Sequence, residues 1–456
     1  MRIRRSISVL LAFALLSISS FAWADHLSVK GARLLTAKEI HSSNERQARE
    51  VLTMVTQSAP EKEQAPFVES YLIEGKLQEG EIALTKELKN QPHDDQLRFG
   101  LGTLQFLRAV ERLAQDIYRY QPRSTILGEH NMVPIIRMPV PNNPEPETLT
   151  YVGARNMMKT FAQNLDKAEA TLAQITDGNV KLPLHFGLIQ LDLNGDGRFD
   201  EDETLWRLYA GVNGSRNINA ENARQFFIKF DRGDVHWLRG YCHLLMAMCE
   251  FYLAHDSKET FDCTAHLFFP KVDSPYAFLS KRKEGKDSRQ RFEIDEVSDF
   301  ISFIHLIRWP VVEPERMKAV LHHLEAVVAQ SKESWKWIMA ETDDDHEWLP
   351  NPRQTGVIPD VRVTDEMVSA WMNLMDQSGK VLAGERLIPF WRGDDRRGVN
   401  LRKAFLQPRQ FDLVLWVQGP AAAPYLETGE MTEPGTWQSL QRAFGSQFPG
   451  FALWFN

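Results

Sequence analysis

Acidic and amide side chains recur at alternate positions in one short stretch of the chain, residues 192–203. The sequence there is Asp-Leu-Asn-Gly-Asp-Gly-Arg-Phe-Asp-Glu-Asp-Glu. A hard cation such as Ca²⁺ takes six to eight oxygen ligands at about 2.3–2.6 Å, and a twelve-residue loop supplies them from positions one, three, five, seven, nine and twelve. The residues at those positions are Asp192, Asn194, Asp196, Arg198, Asp200 and Glu203. The spacing therefore predicts a cation site built from one continuous segment.

This spacing resembles the calcium loop of the EF-hand family. The resemblance implies these ligands: side-chain oxygens of Asp192, Asn194 and Asp196, the backbone carbonyl of Arg198, Asp200 directly or through water, and both carboxylate oxygens of Glu203. Gly197 is then expected at the sharp turn, with a positive φ that only glycine adopts without steric cost. Phe199 takes a position where family members more often carry a branched aliphatic residue. The alternative is an acidic surface turn, because Asn-Gly and Asp-Gly dipeptides are typical of turns.

The segments on either side of the loop are less typical of an EF-hand. Residues 201–210 predict an exiting helix, with acids in the first turn, where the helix dipole favours them, and Gly211 as the C-terminal cap. The entering segment, residues 183–191, fits either a strand or a helix. A second candidate, residues 231–234, lacks an oxygen at the fifth loop position and a glycine at the sixth. A single loop favours a structural clip over a switch that opens a groove.

Polar residues also lie within a long apolar helix, predicted from Asp234 as N-cap to about His255. Arg239, His243 and Glu250 fall near one stripe of that helix. A buried charge must be paired or hydrogen-bonded, so the stripe is either a catalytic or ligand-binding site or an internal ion-pair network.

Three other groups of polar residues are candidate sites. Asp262 with His266, and the pair at 322–323 with Glu325, match no zinc signature such as His-Glu-x-x-His. The acidic run 342–348 (Thr-Asp-Asp-Asp-His-Glu-Trp) is either a second cation site or a solvated cap.

The N-terminal residues have the pattern of a secretory signal peptide. Three arginines within residues 1–5 precede an apolar stretch, and Ala22-Trp23-Ala24 predicts cleavage after Ala24. The apolar stretch is shorter than the roughly 20 residues of a membrane span. The sequence thus predicts a periplasmic or secreted protein with no membrane span after signal removal, and the alternative is an uncleaved N-terminal anchor.

The charge and cysteine content limit the classes of partner and of cross-link. Removing residues 1–24 takes away three arginines and no acid, so the formal charge of −8 becomes −11. This balance disfavours nucleic acid as the main partner. Cys242 and Cys249 are too far apart along one helix to bridge, although either is free to pair with Cys263. We expect buried free thiols, and the sequence does not fix the oligomeric state.

A second resemblance covers about residues 61–120, where helical periodicity carries spacings similar to tetratricopeptide repeats. The matching residues are Tyr71, Gly75, Leu84, Leu88, Pro92, Leu101, Gly102, Ala114 and Tyr118. Gly80 stands where the repeat pattern has alanine. The resemblance implies a helical surface that contacts another protein, and the alternative is a plain helical hairpin packed on the rest of the chain.

The remaining sequence predicts a mainly α protein with a small α+β module at its C-terminal end. The expected regions are a signal peptide at 1–24, a helical hairpin at 25–121, a Pro-rich linker at 122–148, a central helical domain with the calcium loop at 149–350, and the α+β module at 351–456. Further helices are expected at 152–175, 219–229, 295–309, 314–340 and 365–375, and strands at 381–391, 398–405 and 411–418.

Two functions remain open on sequence alone. The first is an exported, calcium-stabilised binding or scaffold protein that contacts another protein through its N-terminal helices. The second is a calcium-dependent periplasmic or secreted hydrolase, with residues 343–347 or the stripe of Arg239, His243 and Glu250 in its cleft. The recognisable nucleophile, phosphate-loop and metalloprotease motifs do not occur in the sequence.

Overall fold

The computed structural model of the chain describes residues 65–123, 140–198, 203–207, 226–280, 288–357, 362–392, 396–433 and 435–444. The predicted signal peptide, the middle of the Pro-rich segment, Phe199 and Asp200 lie outside these residues. Helix accounts for 61% and strand for 8%, which confirms the mainly α class with small antiparallel sheets toward the C-terminal part.

The helices of the described residues follow one another along the whole chain. They are α1 (Glu69–Ile73), α2 (Leu77–Asn90), α3 (Asp95–Tyr120), α4 (Tyr151–Leu172), α5 (Arg232–Ala254), α6 (Lys258–Phe268), α7 (Ser288–Leu306), α8 (Pro314–Ala340), α9 (Asp365–Ala383), α10 (Leu401–Leu406), α11 (Leu413–Gln418) and α12 (Thr436–Phe444).

The strands are short and pair antiparallel. They are β1 (Leu182–Leu184), β2 (Ile228–Phe230), β3 (Arg308–Trp309), β4 (Ile388–Pro389), β5 (Gly398–Val399), β6 (Phe411–Asp412) and β7 (Leu426–Glu427). β1 pairs with β2 in the register Pro183 to Lys229, and β3 pairs with β6. β5 lies between β4 and β7. The pairs β1–β2, β3–β6 and β5–β7 therefore join segments that are distant in sequence or separated by helices.

Small residues set the close packing of the N-terminal helices. A Cβ atom built on Gly80 of α2 lies 2.7 Å from Leu104 Cδ1 on α3 and 2.8 Å from Tyr71 Cβ. A Cβ atom on Gly102 of α3 lies 2.5 Å from Leu172 Cγ on α4. The expected helical hairpin is thus present as α2 and α3, with α4 packed beside it. The tetratricopeptide resemblance stays a prediction.

The central helices α4, α5 and α8 pack together around buried apolar side chains. α5 begins at a capping box, in which the Asp231 side chain accepts the Gly233 and Asp234 N–H groups and the Asp234 carboxylate accepts the Asp231 N–H. The N-cap is therefore Asp231, and the prediction of Asp234 was wrong by three residues because both acids bond within the same first turn. The predicted bounds of α8, 314–340, are confirmed.

The C-terminal strand predictions were mostly wrong. Residues 381–383 end α9, residues 401–406 form α10 and residues 413–418 form α11. Asn400 and Asp412 each accept a backbone N–H three residues ahead, so they act as helix N-caps. The branched and aromatic residues that favoured strands there instead reflect partial burial on short helices.

Three helix predictions also needed correction. Residues 308–309 belong to β3, while α7 begins seven residues before the predicted start at 295. Residues 228 and 229, predicted as the end of a helix, lie in β2, and the earlier part of that prediction, 219–225, lies outside the described residues. α9 continues past the predicted end at 375 to Ala383, where Gly384 with φ of +78° provides the C-terminal cap.

One hydrophobic cluster runs from Val68 near the start of the described residues to Phe444 near their end. It joins side chains of the N-terminal helices, the sheet β1–β2, α5, α8, α9 and α12. Beside the Pro-rich segment, the Arg123 N–H donates to the Phe268 carbonyl and the Leu149 N–H donates to the Lys271 carbonyl, 3.0 Å away. Within the described ranges we find no helix that is both long and apolar enough to cross a membrane.

Candidate functional site

The base of the loop at residues 192–203 is closed by a short antiparallel contact. The Leu191 N–H donates to the Glu203 carbonyl at 3.0 Å, and the Leu205 N–H donates to the Ile189 carbonyl at 2.8 Å. The entering segment is therefore extended over its last residues, after β1 and a 3₁₀ turn at Phe186–Leu188, and it is not an EF-hand entering helix. Of the predicted exiting helix, residues 205–207 are helical and 208–210 lie outside the described residues.

Inside the loop, the side chains at positions one, three and five accept backbone N–H groups further along the chain. Asp192 Oδ1 accepts from Gly195 at 2.7 Å, and its Oδ2 accepts from Gly197 at 3.0 Å. Asn194 accepts from Asp196, and Asp196 accepts from Arg198, each at 2.8 Å. These bonds turn three oxygen-bearing side chains toward the inside of a tightly wound loop.

Glycine is required at the turn of this loop. Gly197 has φ of +69° and Gly195 has φ of +77°, in the left-handed region that side chains disfavour. The expected positive φ at Gly197 is confirmed.

The twelfth residue of the loop lies next to its first. Glu203 is 1% exposed, and its Oε1 accepts the Leu193 N–H at 3.0 Å. The Glu203 carboxylate is therefore held against the backbone beside Asp192, although the two are eleven residues apart. Asp200, the predicted ninth-position ligand, lies outside the described residues.

Two polar side chains of helix α3 form hydrogen bonds with the backbone of the first loop residue. Glu111 Oε1 accepts the Asp192 N–H at 3.0 Å, and Gln115 Nε2 donates to the Asp192 carbonyl at 2.8 Å. Burial raises the pKa of Glu111 to about 7. A buried carboxyl group is unusual on a packed helix face. This one is held there by its hydrogen bond to the first residue of the loop.

A second group of carboxyls gathers at the N-terminus of α5. Oxygens of Asp231, Glu341 and Glu347 lie within 4.8 Å of one another. Burial, together with the negative charge of Asp231 and a hydrogen bond to it, raises the pKa of Glu341 to about 9. Burial also raises the pKa of Glu347 to about 7. At neutral pH Glu341 is therefore protonated and hydrogen-bonded to Asp231, which relieves the repulsion between these acids.

Most of the acidic run at 342–348 is neutralised or hydrogen-bonded. Lys181 pairs with Asp343 at 2.9 Å, and Lys229 pairs with Asp345 at 2.7 Å. Asp344 Oδ1 accepts the Thr355 N–H at 2.7 Å. The run thus ties the sheet β1–β2 to the segment after α8, and Glu347 alone of these acids joins the buried carboxyl group.

The polar stripe on α5 divides between two internal ion pairs. Arg239 and His243 both reach Glu169 on α4, at 2.9 and 3.4 Å. Glu250 instead pairs with Arg316 on α8 at 2.8 Å. These contacts are those of an internal ion-pair network, and the three side chains do not converge on one point.

His243 also contacts a histidine of α8. The Nδ1 atoms of His243 and His323 are 3.0 Å apart. Burial, with the neighbouring His243 and His322, lowers the pKa of His323 to about 4. His323 is therefore neutral near pH 7, and one imidazole donates to the other.

The remaining candidate residues have separate partners. Asp262 pairs with Lys258, His266 pairs with Asp299 at 3.4 Å, and Glu325 pairs with Arg402 at 2.6 Å. Asp262 and His266 therefore belong to different ion pairs, and Glu325 pairs with Arg402.

The three cysteines are free thiols, as expected. Cys242 and Cys249 are buried and Cys263 is half-buried. Burial raises the pKa of Cys249 to about 12, so this thiol is unreactive at neutral pH.

Several residues of the site were not found by sequence reasoning. Glu111 has a signal in retrospect, because it is an acid on the helix face that carries the buried residues Leu107 and Ala114. Gln115 and Glu169 have no such signal, since their partners come from distant segments. The proximity of Asp231 to Glu341 depends on how α5 packs against α8, which spacing does not encode.

Comparison of the chain with protein-family models, with curated proteins and with solved structures found no match. The assignment of function therefore depends on the geometry of the loop and of the surfaces around it.

Proposed function

We propose that this chain is an exported calcium-binding protein whose loop at 192–203 holds one Ca²⁺ and stabilises a helical protein that binds another protein. The observation that carries the proposal is the pattern of hydrogen bonds within the loop. Positions one, three and five each accept a backbone N–H from further along the chain, and the N–H of position two donates to the carboxylate of position twelve.

This arrangement leaves coordination capacity on the same oxygens. A carboxylate has about four lone-pair sites, and each N–H bond in the loop uses one. Asp192 and Asp196 therefore retain lone pairs for a cation, and Asn194 adds an amide oxygen. A Ca²⁺ ion needs this kind of flexible oxygen set.

Binding of Ca²⁺ to the loop is expected to stabilise the folded protein, because the loop joins segments that belong to one hydrophobic core. Leu191, Leu193 and Leu205 on either side of its base are all buried in the main hydrophobic cluster. A ligand that binds only the folded state stabilises it by RT ln(1 + [Ca²⁺]/Kd), about 2.7 kcal/mol at a hundredfold excess over Kd. A clip of this kind fits a single loop better than a groove-opening switch does.

Thermal unfolding of the full chain tests the proposal. The melting temperature is expected to be higher in millimolar Ca²⁺ than in chelator, and Asp192→Asn is expected to reduce that difference. The matched control is Asp177→Asn, an exposed aspartate whose Oδ1 accepts the Asn179 N–H at 2.8 Å in a similar local turn outside the loop. Equal melting temperatures with Ca²⁺ and with chelator would contradict the proposal.

Binding of a protein partner is proposed for the N-terminal helices. Phe67 is 51% exposed and Ile82 on α2 is 65% exposed, so each presents apolar surface to solvent. The signal-peptide pattern at 1–24 supports export, which places the partner in the periplasm or outside the cell. Ile82→Glu is expected to abolish capture of a partner from the cell envelope while leaving the calcium response unchanged.

A hydrolase is the second candidate, favoured by the protonated Glu341 that lies beside Asp231. Pairs of carboxyls with different protonation supply a general acid and a general base in several hydrolases. The test is release of product from purified envelope polymers, with Glu341→Gln as the variant. Release by the wild type that Glu341→Gln abolishes supports this candidate, and no release by the wild type rejects it.

A further inference from the structure

A polar stripe on α3 leads from the N-terminal helices to the calcium loop. It consists of Gln105, Arg108, Glu111 and Gln115, which are spaced by three or four residues and so share one helix face. At one end, Arg108 pairs with Glu81 of α2, and Gln105 accepts from the Thr171 hydroxyl of α4 at 2.7 Å. At the other end, Glu111 and Gln115 contact the first residue of the loop.

The contacts to the loop are made to its backbone. The Glu111 carboxylate accepts the Asp192 N–H, and the Gln115 amide donates to the Asp192 carbonyl. The Gln115 side chain also lies beside Gly195, 3.7 Å from an ideal Cβ position there. Since the Asp192 carboxylate is itself held by Gly195 and Gly197, the backbone and the side chain of the first predicted ligand are both fixed.

We propose that Glu111 and Gln115 are positioning residues for the calcium loop, which hold Asp192 in its binding geometry and couple the affinity for Ca²⁺ to the packing of α3. This inference rests on the proposed calcium function. Neither residue is offered as a ligand. Their role is the one that hydrogen-bonding partners of metal ligands have elsewhere, where loss of the partner typically lowers metal affinity about 10- to 100-fold.

The structure supplies a matched control on the same helix. Gln96 Nε2 donates to the Lys181 carbonyl at 2.9 Å, so it makes the same kind of bond as Gln115, but to a segment outside the loop. Leucine is similar in size to glutamine, so replacing either glutamine with leucine removes one side-chain hydrogen-bond donor with little change in volume. Only Gln115→Leu removes it from the loop.

The experiment is calcium titration by calorimetry on the full chain, for the wild type, Gln115→Leu, Gln96→Leu, Glu111→Ala and Glu111→Gln. Gln115→Leu and Glu111→Ala are expected to raise Kd at least about 10-fold, while Gln96→Leu leaves it unchanged. Glu111→Gln is expected to recover most of the affinity lost in Glu111→Ala, because the amide oxygen still accepts the Asp192 N–H. Circular dichroism in chelator confirms that each variant is folded, and Gln115→Leu carries the test if the buried Glu111→Ala is not.

The outcomes distinguish failure of the positioning role from failure of the calcium proposal. If the wild type binds Ca²⁺ and Gln115→Leu binds it equally well, as does Glu111→Ala where that variant is folded, the positioning role is wrong and the calcium proposal stands. If Gln96→Leu weakens binding as much as Gln115→Leu, the effect is general to α3 and the positioning role is again wrong. If the wild type binds no Ca²⁺, the calcium proposal fails and this inference fails with it.

Discussion

The close approach of α3 and α4 leads to a prediction about the glycine at their contact. Gly102 lies inside α3, and an ideal Cβ there is 2.5 Å from both Cγ and Cδ2 of Leu172, which is fully buried. Alanine at an interior helix position gains about 1 kcal/mol over glycine from helix propensity. Overpacking of a buried contact costs about 1–3 kcal/mol, so Gly102→Ala is expected to destabilise by about 0–2 kcal/mol.

Gly379 in α9 is the matched control. The nearest atom to its ideal Cβ is Val328 Cγ1 at 3.6 Å, an ordinary van der Waals distance. Gly379→Ala is therefore expected to stabilise the protein by about 0.5–1 kcal/mol. Urea denaturation followed by circular dichroism measures both changes in the free energy of unfolding. If Gly102→Ala stabilises the protein as much as Gly379→Ala, the packing argument for the N-terminal helices is refuted.

Two further predictions concern buried carboxyls. Because the folded-state pKa of Glu341 is raised to about 9, its stabilising contribution is complete below the unfolded pKa of about 4.5 and is lost as the pH rises through 9. The melting temperature in chelator should thus fall between pH 7.5 and 9, and Glu341→Gln should show a smaller fall; an equal fall would contradict the assignment. Glu81 is 6% exposed and pairs with Arg108 and Lys167. Its replacement by alanine should lower the free energy of unfolding by about 3 kcal/mol. Glu315→Ala, which breaks an exposed pair, should cost less than about 1 kcal/mol in the same urea assay, and similar costs for the two would mean that the buried network adds nothing.

The helices of the core could be predicted from sequence because their apolar periodicity and capping residues agree. α8 has Pro314 at its start and an amphipathic stripe, and its predicted bounds were correct. α4 was likewise predicted within a few residues, with the Thr150 side chain accepting the Gly153 N–H at its start. Local signals and tertiary packing favour the same structure in these segments.

The C-terminal segment was harder to predict because its local signals conflict. The run at 411–418 has the composition of a strand, yet Asp412 caps a helix there and Gly419, with φ of +100°, ends it. Short segments of this kind take their structure from packing. The same holds for β3 and β6, two-residue strands that pair across about a hundred residues.

The loop itself was predictable because all its proposed ligands lie within twelve residues. Its local turns follow from Asx side chains and glycines, which act over two to five residues. Its support was not predictable, since Glu111 and Gln115 reach the loop from about 80 residues away. The entering segment was left open between strand and helix, and the structure has it extended at the loop.

Calcium titration by isothermal calorimetry, on the full chain and on Glu203→Gln, is the most direct measurement of the central claim. Glu203 is the buried twelfth residue, and the amide that replaces it keeps its size while removing the charge. One binding site is expected in the wild type, with no measurable site in Glu203→Gln and an unchanged site in Glu315→Gln, a glutamate exposed on α8. No calcium binding by the wild type, or equal binding by Glu203→Gln, would contradict the assignment of this loop as a calcium site.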